Sequence, residues 1–396
     1  MKILVFGHIP NVYGGRQSSG ASFVIYHLSK ALSAINGVDC SICATDVFKN
    51  CICDGNLKLF GWTKTNFLNF IFSNLLFSIV CFGRCIFFSY KYNQKLLGLF
   101  FKSLHLQRCI NLNTPDIIQF HNTDSLIYIK LIKKRNAKIL LTIHSLNGFN
   151  KDVKDYQIWR YLEREETLYP LDYMIFVSGS LMKEWIKFYG YPKAKITSSI
   201  LNAYDSNVFY YKWHKHFSPE KINIVTIGSI STLKGQRRVL EALSRLQNKS
   251  AFYYTCVGNS LKESVDSLEQ IATKNNINFK YLGTQYPSAI AELLRGSDYM
   301  ILPSSYEGFG LVYLESIACG TPVILPKFLP IASEENLLNQ DNSILLKDCT
   351  VDAIFECLSK LSEYKFISNK MSIHISNYNW NNVAVKYYNL LNEKNI

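Results

Sequence analysis

The sequence predicts an α/β protein made of two domains. Its 396 residues exceed what one ordinary hydrophobic core holds, which favours two domains of roughly 150–200 residues each. Hydrophobic residues make up 48% of the chain and charged residues 18%, a composition typical of a globular protein and not of a disordered one. Short apolar runs that end in a glycine or a polar residue, each followed by a helical pattern, recur along the chain and indicate parallel sheets.

The first strand is predicted at 2–7, and a loop containing Gly14 and Gly15 leads from it into a helix. Because glycine lets the backbone come close to a ligand, this turn predicts an approach to a phosphate or a sugar. A hairpin without a ligand is the alternative. The loop lacks a Gly-x-Gly-x-x-Gly pattern, so dinucleotide binding is not indicated.

Two later strands of the first half, at 115–121 and 138–144, end in His121 and His144. Residues at the carboxyl ends of parallel strands face the ligand-binding edge of a sheet. Either histidine can also be a packed, hydrogen-bonded side chain, and we adopt that interpretation for His121. In the second half, strands ending at Gly228, Gly258 and Gly283 repeat the strand-to-glycine pattern.

The most informative stretch runs from Pro303 to Pro322. A buried strand precedes this stretch. The stretch itself begins with a glycine-containing loop, and a helix is predicted from Leu311 to Ala318. The amino end of such a helix offers unpaired N–H groups and a positive dipole end, which suit a phosphate. Glu307 and Glu315 bracket this site, and ionised carboxylates accept hydrogen bonds, for which sugar hydroxyls are natural donors. The alternative, two solvated surface charges, leaves the glycines and the strand unexplained.

The segment Ser-Tyr-Glu-Gly-Phe-Gly-Leu-Val-Tyr-Leu-Glu, with seven residues between its two glutamates, resembles the signature of the retaining glycosyltransferases of family four. The resemblance implies two facing Rossmann-like domains of the GT-B type with a central cleft and a C-terminal helix that crosses back to the first domain. The expected boundaries are 1–205 for an acceptor-binding domain, 206–376 for a nucleotide-sugar-binding domain and 377–396 for the returning helix.

The resemblance also implies roles for individual residues. Glu315 would bind the ribose and Glu307 the donor sugar, while Lys234 would stabilise charge on the leaving diphosphate, and His144 would orient the sugar. Three of these residues, His144, Glu307 and Lys234, form the expected catalytic set. The expected donor-binding set is Gly15, Lys234, Gly283, Glu307, Phe309, Gly310, Leu311 and Glu315.

One position departs from the family pattern. Ser229 stands directly after Gly228, where the family has an arginine that grips the diphosphate. Loss of that charge-assisted contact costs about 1.5–3 kcal/mol. Arg237 and Arg238 follow nearby as candidate replacements.

The expected activity is retaining transfer of a sugar from a nucleotide-diphosphate donor to an acceptor hydroxyl, without a cofactor. The Asp-x-Asp metal-binding pair is lacking, so no divalent metal is expected. Cys40, Cys43, Cys51 and Cys53 are the one group with a metal-like spacing, but their strand positions favour buried thiols over zinc. Two alternatives stay open: a sugar-nucleotide epimerase on the same fold, and a non-catalytic membrane-associated relative.

The charge of the chain is uneven. Residues 1–200 carry 24 Lys and Arg against 12 Asp and Glu, whereas residues 201–396 carry 19 against 18, so the first half is expected to meet something anionic. Residues 55–115 contain seven basic and no acidic residues, and 67–82 is almost wholly apolar but too short to span a bilayer. This favours contact with an anionic membrane surface, and a buried helix pair is the alternative.

From this segment we expect a lipid-linked or glycan acceptor in the synthesis of a cell-surface polysaccharide. The start of the chain, a strand running into a loop, lacks the pattern of a secretory signal. The expected location is therefore cytoplasmic, peripherally on the inner face of the cytoplasmic membrane. Nothing in the sequence resembles a nucleic-acid-binding module, so no nucleic-acid partner is expected.

Overall fold

The computed structural model describes residues 1–16, 19–149, 156–166, 171–212, 220–260, 262–334 and 336–392. The chain divides into two compact units, the first made of Met1–Leu201 with Trp380–Ile396 and the second of Asn202–Asn379. Each unit has its own sheet of mainly parallel strands with helices between them, which confirms the predicted two-domain α/β fold.

The described residues of the first unit form one eight-stranded sheet. Its strands are parallel except for the edge hairpin of β3 and β4, and their spatial order is β3-β4-β2-β1-β5-β6-β7-β8. Strand β1 lies between β2 and β5, so the winding of the chain reverses beside β1. In chain order the strands are β1 Lys2–Gly7, β2 Asp39–Ala44, β3 Cys51–Asp54, β4 Leu57–Phe60, β5 Ile117–His121, β6 Lys138–Ile143, β7 Tyr173–Phe176 and β8 Ile196–Ser199.

Helices cover this sheet. They are α1 Gly20–Ser33, α2 Lys64–Ser73, α3 Leu75–Lys91, α4 Leu96–Asn113, α5 Tyr156–Glu166 and α6 Gly179–Tyr189. Helix α1 begins where the sequence supplies a cap: Ser19 Oγ accepts from the Ser22 N–H, and Ser22 Oγ accepts from the Ser19 N–H. The central strand β1 is buried through Ile3, Leu4 and Val5, as its unbroken apolar sequence predicts.

The second unit has a six-stranded, wholly parallel sheet among its described residues, with the order β11-β10-β9-β12-β13-β14. Its strands are β9 Ile222–Ile227, β10 Phe252–Val257, β11 Asn278–Tyr281, β12 Tyr299–Ile301, β13 Val323–Pro326 and β14 Ser343–Leu346. Its helices are α7 Gln236–Ser244, α8 Lys262–Lys274, α9 Pro287–Arg295, α10 Leu311–Ala318, α11 Val351–Ser359 and α12 Ser368–His374. The reversal of winding falls between β9 and β12, and ligands of doubly wound sheets bind outside the carboxyl ends of the strands at such a point.

The last helix, α13 Trp380–Asn392, belongs to the first unit, where it packs against α1. Its Trp380 and Tyr387 are buried, and the Trp380 ring stacks on His27 of α1. A C-terminal helix that returns to the first domain was predicted, and this packing confirms it. Residues 393–396 of the predicted segment lie outside the described residues.

The apolar stretch at 67–82 is divided between α2 and α3, which meet at Asn74 with a bend of 104°. Among the described residues, no single helix is long and apolar enough to cross a membrane, and only this bent pair has the combined length and composition.

Candidate active site

In the second unit, Lys234 and Glu307 meet although 72 residues separate them in the chain. Lys234 lies in the loop after β9 and Glu307 in the loop after β12, and these strands are neighbours in the sheet. The Lys234 ammonium donates directly to Glu307 Oε1. Both side chains are mostly buried, with exposed fractions of 24% and 11%. The topology therefore places a cation and a carboxylate at the carboxyl edge of the sheet, where the winding reverses.

The two loops are also joined through their backbones. The Ser305 N–H donates to the Leu233 carbonyl over 2.8 Å. Arg238 donates from its two terminal nitrogens to the carbonyls of Thr232 and Pro303, over 2.8 and 2.7 Å. Arg238 thus fixes the position of one loop against the other, a role that its place in the sequence did not reveal.

The arginines proposed as replacements for the missing cation at Ser229 are otherwise engaged. Arg238 holds the two carbonyls, and Arg237 forms an exposed ion pair with Glu241 over 2.8 Å. The Ser229 carbonyl accepts from the buried Gln236 side chain, which fixes the shape of the loop but supplies no charge. In this conformation, Lys234 is the cation that the loop after β9 presents.

Helix α10 begins immediately after the second loop, at the predicted residue. Gly310, with φ of 86°, precedes it in the left-handed region, and a Cβ there would lie 2.5 Å from the Tyr313 ring. Phe309 is only 3% exposed, so its side chain anchors the loop and leaves its backbone to contact a ligand. The amino end of α10, at Leu311, follows directly and carries the positive end of the helix dipole.

Glu315 lies on α10, one turn beyond Leu311, and is partly buried. Burial, followed by the negative charge of Asp205, raises the pKa of Glu315 to about 8. No hydrogen-bond partner for its carboxyl group occurs among the described residues. An unsatisfied, partly buried carboxyl group that ionises reluctantly is suited to receive a hydrogen-bond donor from a ligand.

Gly283 follows strand β11, at the far side of β10 from β9. Its carbonyl accepts from the Gly258 N–H over 2.9 Å, and its φ of 65° lies in the left-handed region. A Cβ at Gly283 would meet open space, so the glycine serves the turn and leaves room beside it.

In the first unit, His121 ends β5 and His144 directly follows β6, so the adjacent strand ends bring them together. His121 Nδ1 lies 2.8 Å from His144 Nε2, and both rings are buried. Burial lowers the pKa of His144 to about 4. Burial also lowers the pKa of His121, and the charge of His144 lowers it further. Both rings are therefore neutral at pH 7, and one donates to the other.

His121 was interpreted as a packed, hydrogen-bonded side chain, and it is both. Its partner, however, is His144, so it orients the ring to which the family resemblance assigns a role. Its Nε2 atom is buried without a hydrogen-bond partner in the described part of the chain. The His144 N–H donates to Asn122 Oδ1 over 2.9 Å, which fixes the backbone after β6.

The loop after β1 is folded tightly on itself around Gly15. The Gly15 N–H donates to the Pro10 carbonyl over 3.1 Å, and a Cβ on Gly15 would lie 1.9 Å from the Ile9 carbonyl oxygen. The Asp46 carboxylate accepts from the N–H groups of Ile9 and Arg16 over 3.1 and 2.8 Å. Glycine is therefore required here by the packing of the loop itself.

Two doubly wound α/β units in one chain define the class of GT-B proteins. Solved structures share this fold over nearly the whole chain at low sequence identity. Sucrose-phosphate synthase from Thermosynechococcus elongatus is 16% identical, with 98% of both chains covered and a TM-score of 0.74. Anabaena HepE in complex with UDP-glucose is 16% identical, with both chains fully covered and a TM-score of 0.69. At this identity the likeness concerns the fold alone.

Two family models divide the sequence between them at the boundary of the two units. The model described as "Glycosyltransferase Family 4" matches residues 18–198, and the one described as "Glycosyl transferases group 1" matches 211–378. The chain therefore belongs to the glycosyltransferases of family four. Its match to a processive diacylglycerol β-glucosyltransferase of Bacillus licheniformis is 26% identical and covers 72% of each chain. A D-inositol 3-phosphate glycosyltransferase of Segniliparus rotundus is 31% identical over 29% of this chain and 27% of its own length.

Proposed function

We propose that this glycosyltransferase moves a sugar from a nucleotide-diphosphate donor to an acceptor hydroxyl with retention of configuration. The observation that carries the proposal is the Lys234–Glu307 pair at the winding reversal of the second unit, beside the amino end of α10. A buried cation at a helix amino end suits a diphosphate, and a carboxylate beside it suits the hydroxyls of the attached sugar.

In the proposed mechanism, Lys234 moves from Glu307 to the diphosphate as the donor binds. Together with the backbone N–H groups of Phe309, Gly310 and Leu311, it then stabilises the charge that develops on the leaving group. These groups would serve in place of a divalent metal ion. Glu307, released from the ammonium, accepts from hydroxyls of the donor sugar.

The remaining residues would position the donor. Glu315 accepts from the ribose hydroxyls, and the backbone at Gly283 borders the nucleotide base. On the first unit, the loop at Gly15 approaches the donor or the acceptor, and His144 orients the reacting sugar. His121 would be a positioning residue, because its hydrogen bond fixes the ring of His144.

Retention is proposed from family membership and requires no nucleophilic protein group. The Bacillus licheniformis relative is named a β-glucosyltransferase, which makes the anomeric configuration of the product informative. Proton coupling constants of the product distinguish α from β linkage. An inverted product would overturn retention and leave the donor site unaffected.

Calorimetry with uridine, guanosine and adenosine diphosphates should show binding of one nucleotide, and Glu315→Ala should weaken it about 10- to 150-fold. That range corresponds to one hydrogen bond to a charged group, worth about 1.5–3 kcal/mol. UDP is the first to test, since HepE was solved with UDP-glucose.

Glu241→Ala is the matched control, because this carboxylate is exposed and pairs with Arg237. Absence of binding in a folded wild-type protein would instead indicate a non-catalytic relative. Nucleotide release on addition of an acceptor supports transfer, whereas interconversion of the donor without release supports an epimerase.

The acceptor proposal rests on the surface of α2 and α3, which is unusually apolar. Leu76, Ile79, Phe87 and Tyr90 recur at helical spacing on α3, and Phe72 lies on α2; all five are 61–92% exposed. The buried side of α3 is less apolar, since it consists of Ser78, Cys81, Cys85 and Phe88. Helix α3 therefore turns its more hydrophobic side outward, which marks an interaction surface.

We propose that this surface contacts an anionic membrane, where the enzyme meets a lipid-linked acceptor. The stretch 55–115 supplies seven basic residues and no acidic ones, which complements anionic headgroups. Two amphipathic helices that meet at a bend and expose aromatic side chains are suited to lie in the interface between a bilayer and water. The Bacillus licheniformis relative is named for diacylglycerol, and a relative from Klebsiella pneumoniae, 24% identical over 55% of this chain, is described as lying in a cps region. We further propose that the product enters a cell-surface polysaccharide and that the enzyme acts at the cytoplasmic face.

Flotation with vesicles should retain the wild-type protein on anionic lipid and less on neutral lipid. The triple variant Leu76→Gln, Ile79→Gln, Phe87→Ser should lose at least about 100-fold in partitioning, since each buried apolar side chain contributes about 1.5–3 kcal/mol. The control replaces the exposed Tyr286, Ile367 and Ile373 of the second unit with polar residues. Equal partitioning of both triple variants, or no retention on either lipid, would overturn membrane contact.

A further inference from the structure

Three buried side chains of the kind that bind metal ions converge in the first unit, outside the candidate active site. Cys43 lies near the end of β2, and His105 and Cys109 lie on α4. Their ligand atoms are all within 4.8 Å of one another. Exposed fractions of 0%, 4% and 0% place the group inside the core, between the sheet and the helix.

The spacing on α4 aligns two of the ligands. His105 and Cys109 are four residues apart, so they lie on the same face of the helix, one turn from each other. Cys109 Sγ lies 4.0 Å from both Nδ1 and Nε2 of the His105 ring. Cys43 completes the set from the strand that α4 covers.

A backbone carbonyl fixes the tautomer of His105. His105 Nε2 lies 3.0 Å from the Phe60 carbonyl oxygen, which can only accept, so Nε2 carries the proton. In the neutral ring, Nδ1 then keeps the lone pair that can bind a metal ion. Metal-binding histidines typically donate their second ring N–H to a carbonyl in this way. Phe60 of β4 pairs in register with Cys43 of β2. Strand β2 therefore supplies the ligand Cys43, and its neighbour β4 supplies the carbonyl that holds His105.

We infer that Cys43, His105 and Cys109 form a structural binding site for a soft divalent cation of the zinc class. Tetrahedral zinc, with Zn–S of about 2.3 Å and Zn–N of about 2.0 Å, places sulfur and nitrogen about 3.6 Å apart. The observed distances require the three side chains to close by about 1 Å or less, which rotation about their side-chain bonds can supply. Binding would displace the protons of both thiols to solvent.

Cys51 lies two strands from Cys43 and outside the group of three. It pairs with Phe60 from the other side of β4, so Cys51 and Cys43 project from the same face of the sheet. Cys51 is exposed, whereas the three members of the group are buried.

This inference differs from the sequence-based expectation, which grouped Cys43 with Cys40, Cys51 and Cys53. Cys40 lies three residues before Cys43 on the same strand and therefore faces the opposite side of the sheet, where it meets Ser29 of α1. The decisive ligands are about sixty residues further along the chain. A zinc ion here would stabilise the fold and would take no part in sugar transfer.

The test is titration of the reduced full-length protein with Co²⁺, read as the thiolate-to-cobalt charge-transfer absorption in the near ultraviolet. We expect one cobalt ion per chain and its displacement by one equivalent of Zn²⁺. Cys109→Ser and Cys43→Ser should each weaken cobalt binding by more than 100-fold. This exceeds the roughly 10- to 100-fold loss expected when a residue that only supports a ligand is removed. Cys51→Ser should weaken it less. Cys40→Ser is the matched control, a buried thiol of the same strand, and should bind like the wild type.

Lack of the charge-transfer band in the folded wild-type protein would overturn the inference, whether or not the variants fold. So would a band that survives loss of both Cys43 and Cys109. Thiol counting before and after reduction gives a third outcome. If two thiols are absent until a reductant is added, and only when Cys43 and Cys109 are both present, the pair forms a disulfide and the zinc site is wrong.

Discussion

Lys234→Ala is expected to lower kcat by about 10²–10³, the effect of removing one preorganised donor from a developing negative charge. The loss should fall mainly on kcat, because the charge on the diphosphate grows as the sugar departs. The expected effect is large because two other cations do not share the task of Lys234. Ser229 stands where the family has an arginine, and Arg238 is bound to two backbone carbonyls. Initial rates at varied donor concentration measure kcat and KM separately.

The matched control for Lys234→Ala is Arg237→Ala, three residues further on, whose exposed side chain pairs with Glu241. Its kcat should stay within about twofold of the wild type, since surface changes away from a site have small effects. Removal of Lys234 leaves the mostly buried Glu307 without its cation, so thermal unfolding must accompany the kinetics. A stable Lys234→Ala variant with wild-type kcat would exclude the proposed role.

Nucleotide affinity is expected to rise with pH toward about 8 and then level off. In the free protein, burial raises the pKa of Glu315 to about 8, so its carboxyl group is mainly protonated at pH 7. Ribose hydroxyls donate best to the ionised form, so binding lowers this pKa and releases a proton. By linkage, affinity then increases by up to about tenfold per pH unit below 8.

Calorimetry in two buffers of different ionisation enthalpy measures the released proton directly. Glu315→Gln is the isosteric control and should bind weakly with an affinity that lacks this pH dependence. Because the nucleotide phosphates titrate as well, the difference between wild type and variant is the quantity to compare. Proton uptake, or the same pH profile in both proteins, would argue against the ribose contact.

The same pKa affects stability with the opposite trend. Between the ordinary pKa of about 4.5 and the raised value of about 8, the folded protein holds more protons at Glu315 than the unfolded chain. This group therefore makes the free energy of unfolding fall as pH rises through that window. Donor binding, which favours the ionised form, offsets the loss.

The sequence was sufficient for the architecture and for the main elements of the candidate donor site. Apolar runs ending in glycine predicted the strands, and the residues of α10 predicted both of its ends. Family resemblance singled out Lys234 and Glu307. Their contact follows from the adjacency of β9 and β12, which the α/β pattern makes natural but does not specify.

Periodicity could not decide which side of an apolar helix faces the core. The stretch at 67–82 allowed both a buried helix pair and an exposed surface, because burial depends on what packs against the helix. The structure bends the chain at Asn74 and leaves Phe72 and Leu76 outside. The polar Ser78 and the two cysteines of α3 take the inward side.

What the sequence by itself determined is therefore local: strand, loop and helix, the carboxylates flanking α10, and the basic, acid-free segment. What only the tertiary structure decided is which distant groups meet. It engages Arg238 with backbone carbonyls, pairs His121 with His144, and joins Cys43 to a helix sixty residues away. The physical reason is that local patterns fix backbone conformation, whereas side-chain partnerships depend on strand order and helix packing, to which residues far apart in the chain contribute.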